Sequence, residues 1–229
     1  ATAVLHMYFA NTGWFFRYEA YLVALGVLSI GLAISGYLPQ RFHVRLKPLH
    51  LATAVLVMFV SVPFITRGGF ALLKINRAQK NIYDQQYQMG LFLRKFYENE
   101  SVAVNDIGII NYLTQIRSLD MRGLGTAEIA NARLKKSYSP YILEKLIKKM
   151  DVKIAVIYEL WFSALCSAFP EWTKVGEWKI PDNCMCGRDT VFFYALGTPE
   201  KNRLIKHLKE FSGYLPKDVI QSGEYTGVE

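Results

Sequence analysis

The chain has 229 residues, of which 52% are hydrophobic, and it includes 14 Tyr, 14 Phe and 4 Trp, enough for one domain with a substantial core and a smaller region. Its formal net charge of +8 comes from 27 Lys and Arg against 19 Asp and Glu, and both signs are mixed after residue 66. The sequence lacks the dense basic patch that nucleic-acid binding requires, and this argues against that class of function. A basic surface beside an anionic membrane is the simpler interpretation.

Two apolar stretches near the start predict membrane-spanning helices. Residues 20–38 contain no charge and would extend about 28 Å as a helix, close to the thickness of the hydrocarbon core of a bilayer. Residues 49–66 form the second stretch, with Pro63 near its end. Buried helices of a soluble domain are the alternative, but helices that are apolar all round are uncommon in domains of this size. The sequence therefore predicts a membrane region over residues 1–74.

The next part of the chain, residues 75–216, predicts a small soluble α/β domain. Apolar residues recur at helical spacing over 75–96, where Gln85 is the one polar member of the stripe. Strands that alternate with helices, followed by a hairpin, are typical of a mixed sheet flanked by helices. The predicted strands are "SVAVND", "IRSLDM", "VKIAVIY" and the hairpin "EWTKVGEWKI"/"TVFFYAL", and the predicted helices are "SYSPYILEKLIKKM" and 198–211. Residues 217–229 are expected to form a loosely ordered tail.

Two of these strands end in an acid followed by a glycine, and such strand ends often bind ligands in α/β sheets. The first carries Asn105, Asp106 and Gly108, and the second carries Asp120, Arg122 and Gly123. No G-x-G-x-x-G, P-loop or G-x-S-x-G motif accompanies them. Asp106 either caps a helix starting at Ile107 or contacts a ligand, and capping is the commoner role. Asp120 and Arg122 either pair with each other or serve the same site.

The histidines and cysteines give weaker signals. No pair among the four histidines has the spacing of metal ligands, so the sequence predicts no metal site. Cys184 and Cys186 are separated by one residue, and Cys166 stands apart. In an oxidising compartment one of the pair could form a disulfide with Cys166, whereas in the cytosol all three would be free thiols.

Arg17 is a candidate for phosphate binding. It lies among aromatic residues, next to the first apolar stretch and close to Glu19. One interpretation is an ion pair between Arg17 and Glu19. The other is that the planar guanidinium holds a lipid-linked phosphate at headgroup depth.

Five segments in a fixed order resemble a known family. "GWFFRYEAYLV", "YDQQYQMGLFL", "VAVNDIGIINYL", "SLDMRGLG" and "IAVIYELWF" resemble the C-terminal part of bacterial polytopic membrane glycosyltransferases of the GT-C class. These enzymes are similar to the dolichyl-phosphate-mannose-dependent protein mannosyltransferases. The resemblance implies sugar transfer from a polyprenyl-phosphate donor, with upstream transmembrane helices as partners and no cofactor. It also implies a soluble domain on the periplasmic or outer face of the bacterial inner membrane.

The resemblance also assigns roles to individual residues. The catalytic acid of the family lies in an early external loop that has no counterpart here, so we assign no catalytic residue and expect a longer protein. Arg17 and Tyr18 match the Arg-Tyr pair of the family, in which the arginine lies near the donor phosphate. The strand-end motifs, which also include Leu124, are expected to lie side by side if their strands pair, on the face turned toward the membrane active site.

Two other classes of function compete with this one. A membrane-anchored binding or scaffold protein would need no chemistry at all. A third possibility is an enzyme whose soluble domain uses Asp106 and Asp120 on its own. An open reading frame with further spans and an early acidic loop upstream of Ala1 would favour the glycosyltransferase.

Overall fold

The computed structural model describes residues 2–10, 18, 20–35 and 48–227. The chain divides into two compact units, Ala1–Ile75 and Asn76–Glu229. The described elements of the first unit are helices: α1 (Thr2–Phe9), α2 (Ala20–Ser35) and most of α3 (Pro48–Ile82).

The two predicted transmembrane helices are not supported. The described helix α2 has 16 residues and extends only about 24 Å, which is short of the roughly 30 Å of a bilayer core. The second predicted span does not end at residue 66, because α3 continues through Arg67, Lys74 and Arg77 to Ile82. Within the described residues, no helix is both long enough and apolar enough to cross a membrane. The prediction of two spans followed by an α/β domain is therefore wrong in its membrane part.

The second unit is an α/β fold with a six-stranded mixed sheet. A π-helical turn (Tyr83–Tyr87) joins α3 to α4. The strands are β1 (Ser101–Val104), β2 (Arg117–Asp120), β3 (Val152–Ile157), β4 (Trp172–Lys179), β5 (Thr190–Leu196) and β6 (Ile220–Gly223). The helices are α4 (Gln88–Phe96), α5 (Gly108–Leu113), α6 (Ala127–Leu134), α7 (Pro140–Met150), α8 (Ser163–Cys166) and α9 (Thr198–Phe211).

The strand order is β2-β1-β3-β5-β4-β6. Strands β2, β1 and β3 are parallel, whereas β5 is antiparallel to β3, and β4 is antiparallel to β5 and β6. The predicted hairpin is the β4–β5 pair. Residues 220–223 form the edge strand β6, so this part of the expected tail belongs to the sheet.

Helices cover both faces of the sheet, because side chains of the buried strands alternate between two cores. Val102 and Val104 of β1 face a core built with α4 and α9, whereas Ala103 faces a core built with α6 and α7. The first core includes Phe92, Trp178, Phe193 and Phe211, and the second includes Leu119, Ile129, Leu143 and Phe162. This layering leaves the ends of the strands as the accessible edges of the sheet.

Candidate functional site

The carboxyl ends of β1, β2 and β3 meet at one edge of the sheet. Val104, the last residue of β1, is paired with Asp120 of β2 on one side and with Val156 of β3 on the other. The two acid-glycine strand ends, which follow β1 and β2, therefore lie side by side as expected for paired strands. The chain leaves β1 for β2 and then crosses to β3 on the other side of β1, so the crevice between β1 and β3 is a topological switch point, where α/β sheets commonly bind ligands.

Asn105 lies in this crevice, directly after β1. Its side chain is buried, and Oδ1 accepts a hydrogen bond from the backbone N–H of Tyr158 at 2.7 Å. The other end of the amide, Nδ2, is buried and has no acceptor in the described protein. Leaving a buried donor unsatisfied costs about 1–3 kcal/mol, so such an atom in a switch-point crevice calls for an explanation.

The π-helical turn directs two consecutive glutamines toward the sheet. Gln85 is buried; its Oε1 accepts from the Tyr158 hydroxyl at 2.8 Å and its Nε2 donates to the carbonyls of Arg188 and Asp189. Gln86 Nε2 donates to Oδ2 of Asp106. Isolated π-helical turns are often found at functional sites, because the extra residue changes which side chains face inward.

Asp106 and Tyr158 are titratable groups at the crevice. Burial, and to a smaller extent the charge of Asp106, raises the pKa of Tyr158 well above its usual value. The phenol therefore remains protonated and serves as the donor to Gln85. Ile107 occupies the N-cap position of α5, which begins at Gly108, one residue later than predicted. A Cβ at Gly108 would meet only Asp106 Oδ1, at 3.9 Å, so close packing does not require glycine there.

Asp120 organises the loop that follows β2. Its carboxylate is buried and accepts from the backbone N–H groups of Arg122, at 2.8 Å, and Gly125, at 2.7 Å. The contact between Asp120 and Arg122 is thus made through the backbone and not through the guanidinium. Gly123 has φ +84°, and a Cβ there would lie 2.8 Å from the backbone nitrogen of Ala130. These residues hold the loop in shape, and Leu124 at its tip is exposed.

Arg122 and Trp161 form a flat surface beside the crevice. The guanidinium carbon of Arg122 lies 4.7 Å from the centroid of the Trp161 ring. Trp161 in turn packs edge-on against Tyr158, with ring centroids 5.0 Å apart. A Cβ at Gly187 would lie 2.7 Å from Trp161 Cη2, so glycine allows the chain to press against the indole. The result is a cation placed over an aromatic ring.

The structure separates the predicted site residues into three groups. Asn105 and Asp106 line the crevice, whereas Asp120 and Gly123 support its neighbouring loop. Arg17 lies outside the described residues, so its assignment to donor phosphate stays a prediction; Tyr18 belongs to the first unit and is partly exposed.

Sequence reasoning missed four residues of the site: Gln85, Gln86, Tyr158 and Trp161. Gln85 did give a signal, because it is a polar residue in an otherwise apolar helical stripe. The other three are brought to the crevice by the π-helical turn and by the end of β3. Sequence patterns at helical or strand spacing do not encode the contacts that the π-helical turn and the end of β3 make at the crevice.

The described residues contain no group of three His, Cys, Asp or Glu side chains that could hold a metal ion. Cys166, Cys184 and Cys186 are all free thiols. Burial raises the pKa of Cys186 to about 12 and that of Cys166 to about 11, so neither is poised as a thiolate at neutral pH.

Comparison with known proteins gives one match. The family described as Domain of unknown function (DUF8728) matches residues 80–194, which is half of the chain and includes β1 to β4, most of β5 and the crevice. No curated protein and no solved structure matches the chain.

Proposed function

The chain belongs to the family Domain of unknown function (DUF8728), and we propose that its α/β unit is the sugar-binding part of a glycosyltransferase that uses a polyprenyl-phosphate donor. Two independent lines support the proposal. The ordered segments that resemble GT-C glycosyltransferases suggest the reaction and the class of donor. The crevice after β1 and β3 supplies chemistry suited to a sugar. In such an enzyme the unit lies beside a membrane, on the periplasmic or outer face.

The observation that carries the proposal is the buried Nδ2 of Asn105, which has no acceptor in the described protein and lies next to Asp106. A sugar hydroxyl both donates and accepts, so one hydroxyl can accept from the Asn105 amide while its neighbour donates to the Asp106 carboxylate. An amide donor and a carboxylate acceptor from consecutive residues can serve adjacent hydroxyls of a sugar ring. The half-buried indole of Trp161 adds an aromatic ring beside the crevice.

A nucleotide fits the crevice less well. The connection after β1 is Asn105-Asp106-Ile107-Gly108 and not a glycine-rich loop, and α5 is only six residues long. Dinucleotide sites at switch points depend on glycines that let the backbone approach a pyrophosphate at the start of a longer helix. The carboxylate of Asp106 would also repel a phosphate at this position.

Binding of neutral methyl glycosides to the purified chain, followed by NMR saturation transfer, tests the proposal. Asp106→Asn removes the charge but keeps an oxygen that can accept from Gln86. Asn105→Asp keeps the acceptor for the Tyr158 N–H and removes the Nδ2 donor. Each change should weaken sugar binding about tenfold, the value of one charge-assisted or fully buried hydrogen bond.

Asp182→Asn is the matched control, because Asp182 lies in the β4–β5 turn and its side chain is 75% exposed. This variant should bind sugars like the parent chain. In the complete enzyme, transfer from a polyprenyl-phosphate sugar should fall in the two crevice variants and not in the control. Absence of sugar binding by the parent chain, or equal binding by all variants, would refute the proposal.

A further inference from the structure

The described α/β unit has three arginines stacked on aromatic rings, and they differ in what else they contact. Arg203 lies over Tyr97, with its guanidinium carbon 4.9 Å from the ring centroid, and forms a two-pronged ion pair with Glu100. Arg133 lies over Tyr138 at 4.4 Å and donates to the carbonyl of Met121 at 3.1 Å. Both guanidinium groups are therefore used inside the protein.

Arg122 is the exception. Its guanidinium lies over Trp161, yet no carbonyl or carboxylate of the described residues accepts a hydrogen bond from it. The nearest acid in the sequence, Asp120, is already engaged by the backbone N–H groups of Arg122 and Gly125. The contact with the ring leaves the five N–H donors of the guanidinium without an acceptor among the described residues.

The position of Arg122 is set before any ligand arrives. Trp161 is held by Tyr158 and by the close approach of Gly187. The backbone N–H of Tyr158 in turn donates a hydrogen bond to Oδ1 of Asn105 in the crevice. Because this chain of contacts links the guanidinium to the unpartnered amide, a ligand in the crevice has a pre-positioned cation at its side, at little cost in side-chain entropy.

We infer that the ligand of this site carries a negatively charged group, a carboxylate or a phosphate, which pairs with the edge of the Arg122 guanidinium. This inference rests on the proposed sugar binding and adds the class of sugar: an acidic one, either a uronic acid or a sugar phosphate. Arginine suits both groups, because its N–H fork matches two oxygens of a carboxylate or a phosphate. The hydroxyls of the ring remain with Asn105 and Asp106, away from the charge.

Calorimetric titration of the purified chain with three probes tests the inference: methyl β-glucoside, methyl β-glucuronide and glucose 1-phosphate. One or both charged probes should bind about tenfold more tightly than the neutral one, and this advantage should shrink as salt is added. Preference for the glucuronide identifies a carboxylate, and preference for glucose 1-phosphate identifies a phosphate. Arg122→Gln should remove the advantage of the charged probes. Arg122→Lys should keep only part of it, because a point charge does not reproduce the fork.

Arg117→Gln is the matched control. Arg117 is an exposed arginine at the start of β2, about 10 Å from the end of that strand, which Arg122 follows, and its loss should leave the preference unchanged. Equal affinity for charged and neutral probes in the parent chain, or an unchanged preference in Arg122→Gln, would overturn the inference while the sugar site stands. If the parent chain binds none of the three probes, the inference and the proposed function fail together.

Discussion

The two ends of β1 carry similar polar groups but use them differently. At the amino end, Glu100 is engaged by the stacked Arg203, which also lies 3.4 Å from Glu200. At the carboxyl end, the stacked Arg122 and the amide of Asn105 keep donors that the described protein does not use. Stacking an arginine on an aromatic ring is therefore no sign of function by itself. What distinguishes the two arginines is whether their N–H groups find acceptors within the described fold.

The amino end also contains buried polar atoms without hydrogen-bond partners, among them Tyr97 Oη, Ser101 Oγ and His207 Nδ1. Their setting is different, because His207 is stacked on Phe96 with ring centroids 4.4 Å apart and Tyr97 is fully buried. They lie under aromatic rings and an ion pair that join α9 to the chain before β1. We therefore assign the amino end to stability and the carboxyl end to binding, and the following experiments test that division.

The largest effect is expected at a supporting residue of the carboxyl end. Gly123→Ala should lower the free energy of unfolding by about 2–4 kcal/mol, because alanine resists the positive φ and its Cβ would meet the backbone of Ala130. Gly108→Ala, at the same edge but in open space, should be neutral or stabilise by about 0.5–1 kcal/mol. Chemical denaturation of both variants measures the difference. Equal effects would show that the Asp120 loop is not held as described.

An effect of intermediate size on the free energy of unfolding should distinguish Arg203 from Arg122. Arg203→Leu should lower the free energy of unfolding by about 1–3 kcal/mol, because it leaves the partly buried Glu100 without its partner. Arg122→Leu should change it by less than about 1 kcal/mol, since only the exposed contact with Trp161 is lost. Adding Glu100→Gln to Arg203→Leu should recover part of the loss. The division between the two ends would fail if Arg122→Leu were the more damaging change.

The smallest effect concerns pH at the amino end. Burial, together with the charge of Arg203, lowers the pKa of His207 from its usual 6.5. Between the lowered pKa and 6.5 the unfolded chain binds more protons than the folded one, so the histidine makes the protein less stable as pH falls below about 6.5. Burial raises the pKa of Glu200 from 4.5, which acts in the opposite sense, stabilising the fold as pH falls.

His207→Gln isolates the histidine contribution. Thermal denaturation between pH 7 and pH 5 should show the parent chain losing stability relative to this variant. Tyr158 at the carboxyl end should contribute nothing in this range, because its raised pKa keeps the phenol protonated. Parallel curves for the variant and the parent chain would mean that His207 does not titrate as its surroundings require.

The sequence by itself determined the elements of the α/β unit. Its strands follow from short apolar runs such as "VAV" and "IAVI", and α7 follows from Pro140 at its start and an apolar stripe behind it. The two acid-glycine strand ends were also visible, since strand ends in α/β sheets are marked by polar residues after an apolar run. Apolar composition predicted the helices of the first unit less well, because it does not specify the residues at which a helix begins and ends. There the predicted spans were wrong.

Only the tertiary structure decided which polar residues form the site. The sequence suggested that Asp120 and Asp106 could serve one site. In the structure, the Asp120 carboxylate instead accepts hydrogen bonds from two backbone N–H groups of the loop after β2. Gln85, Gln86 and Tyr158 reach the crevice because a π-helical turn and the end of β3 converge there. The pairing of β3 with β1 creates the switch point, and the register of these two strands brings the N–H of Tyr158 within hydrogen-bond distance of Asn105. Such pairings join residues about fifty positions apart, and no local pattern of hydrophobicity or propensity specifies them.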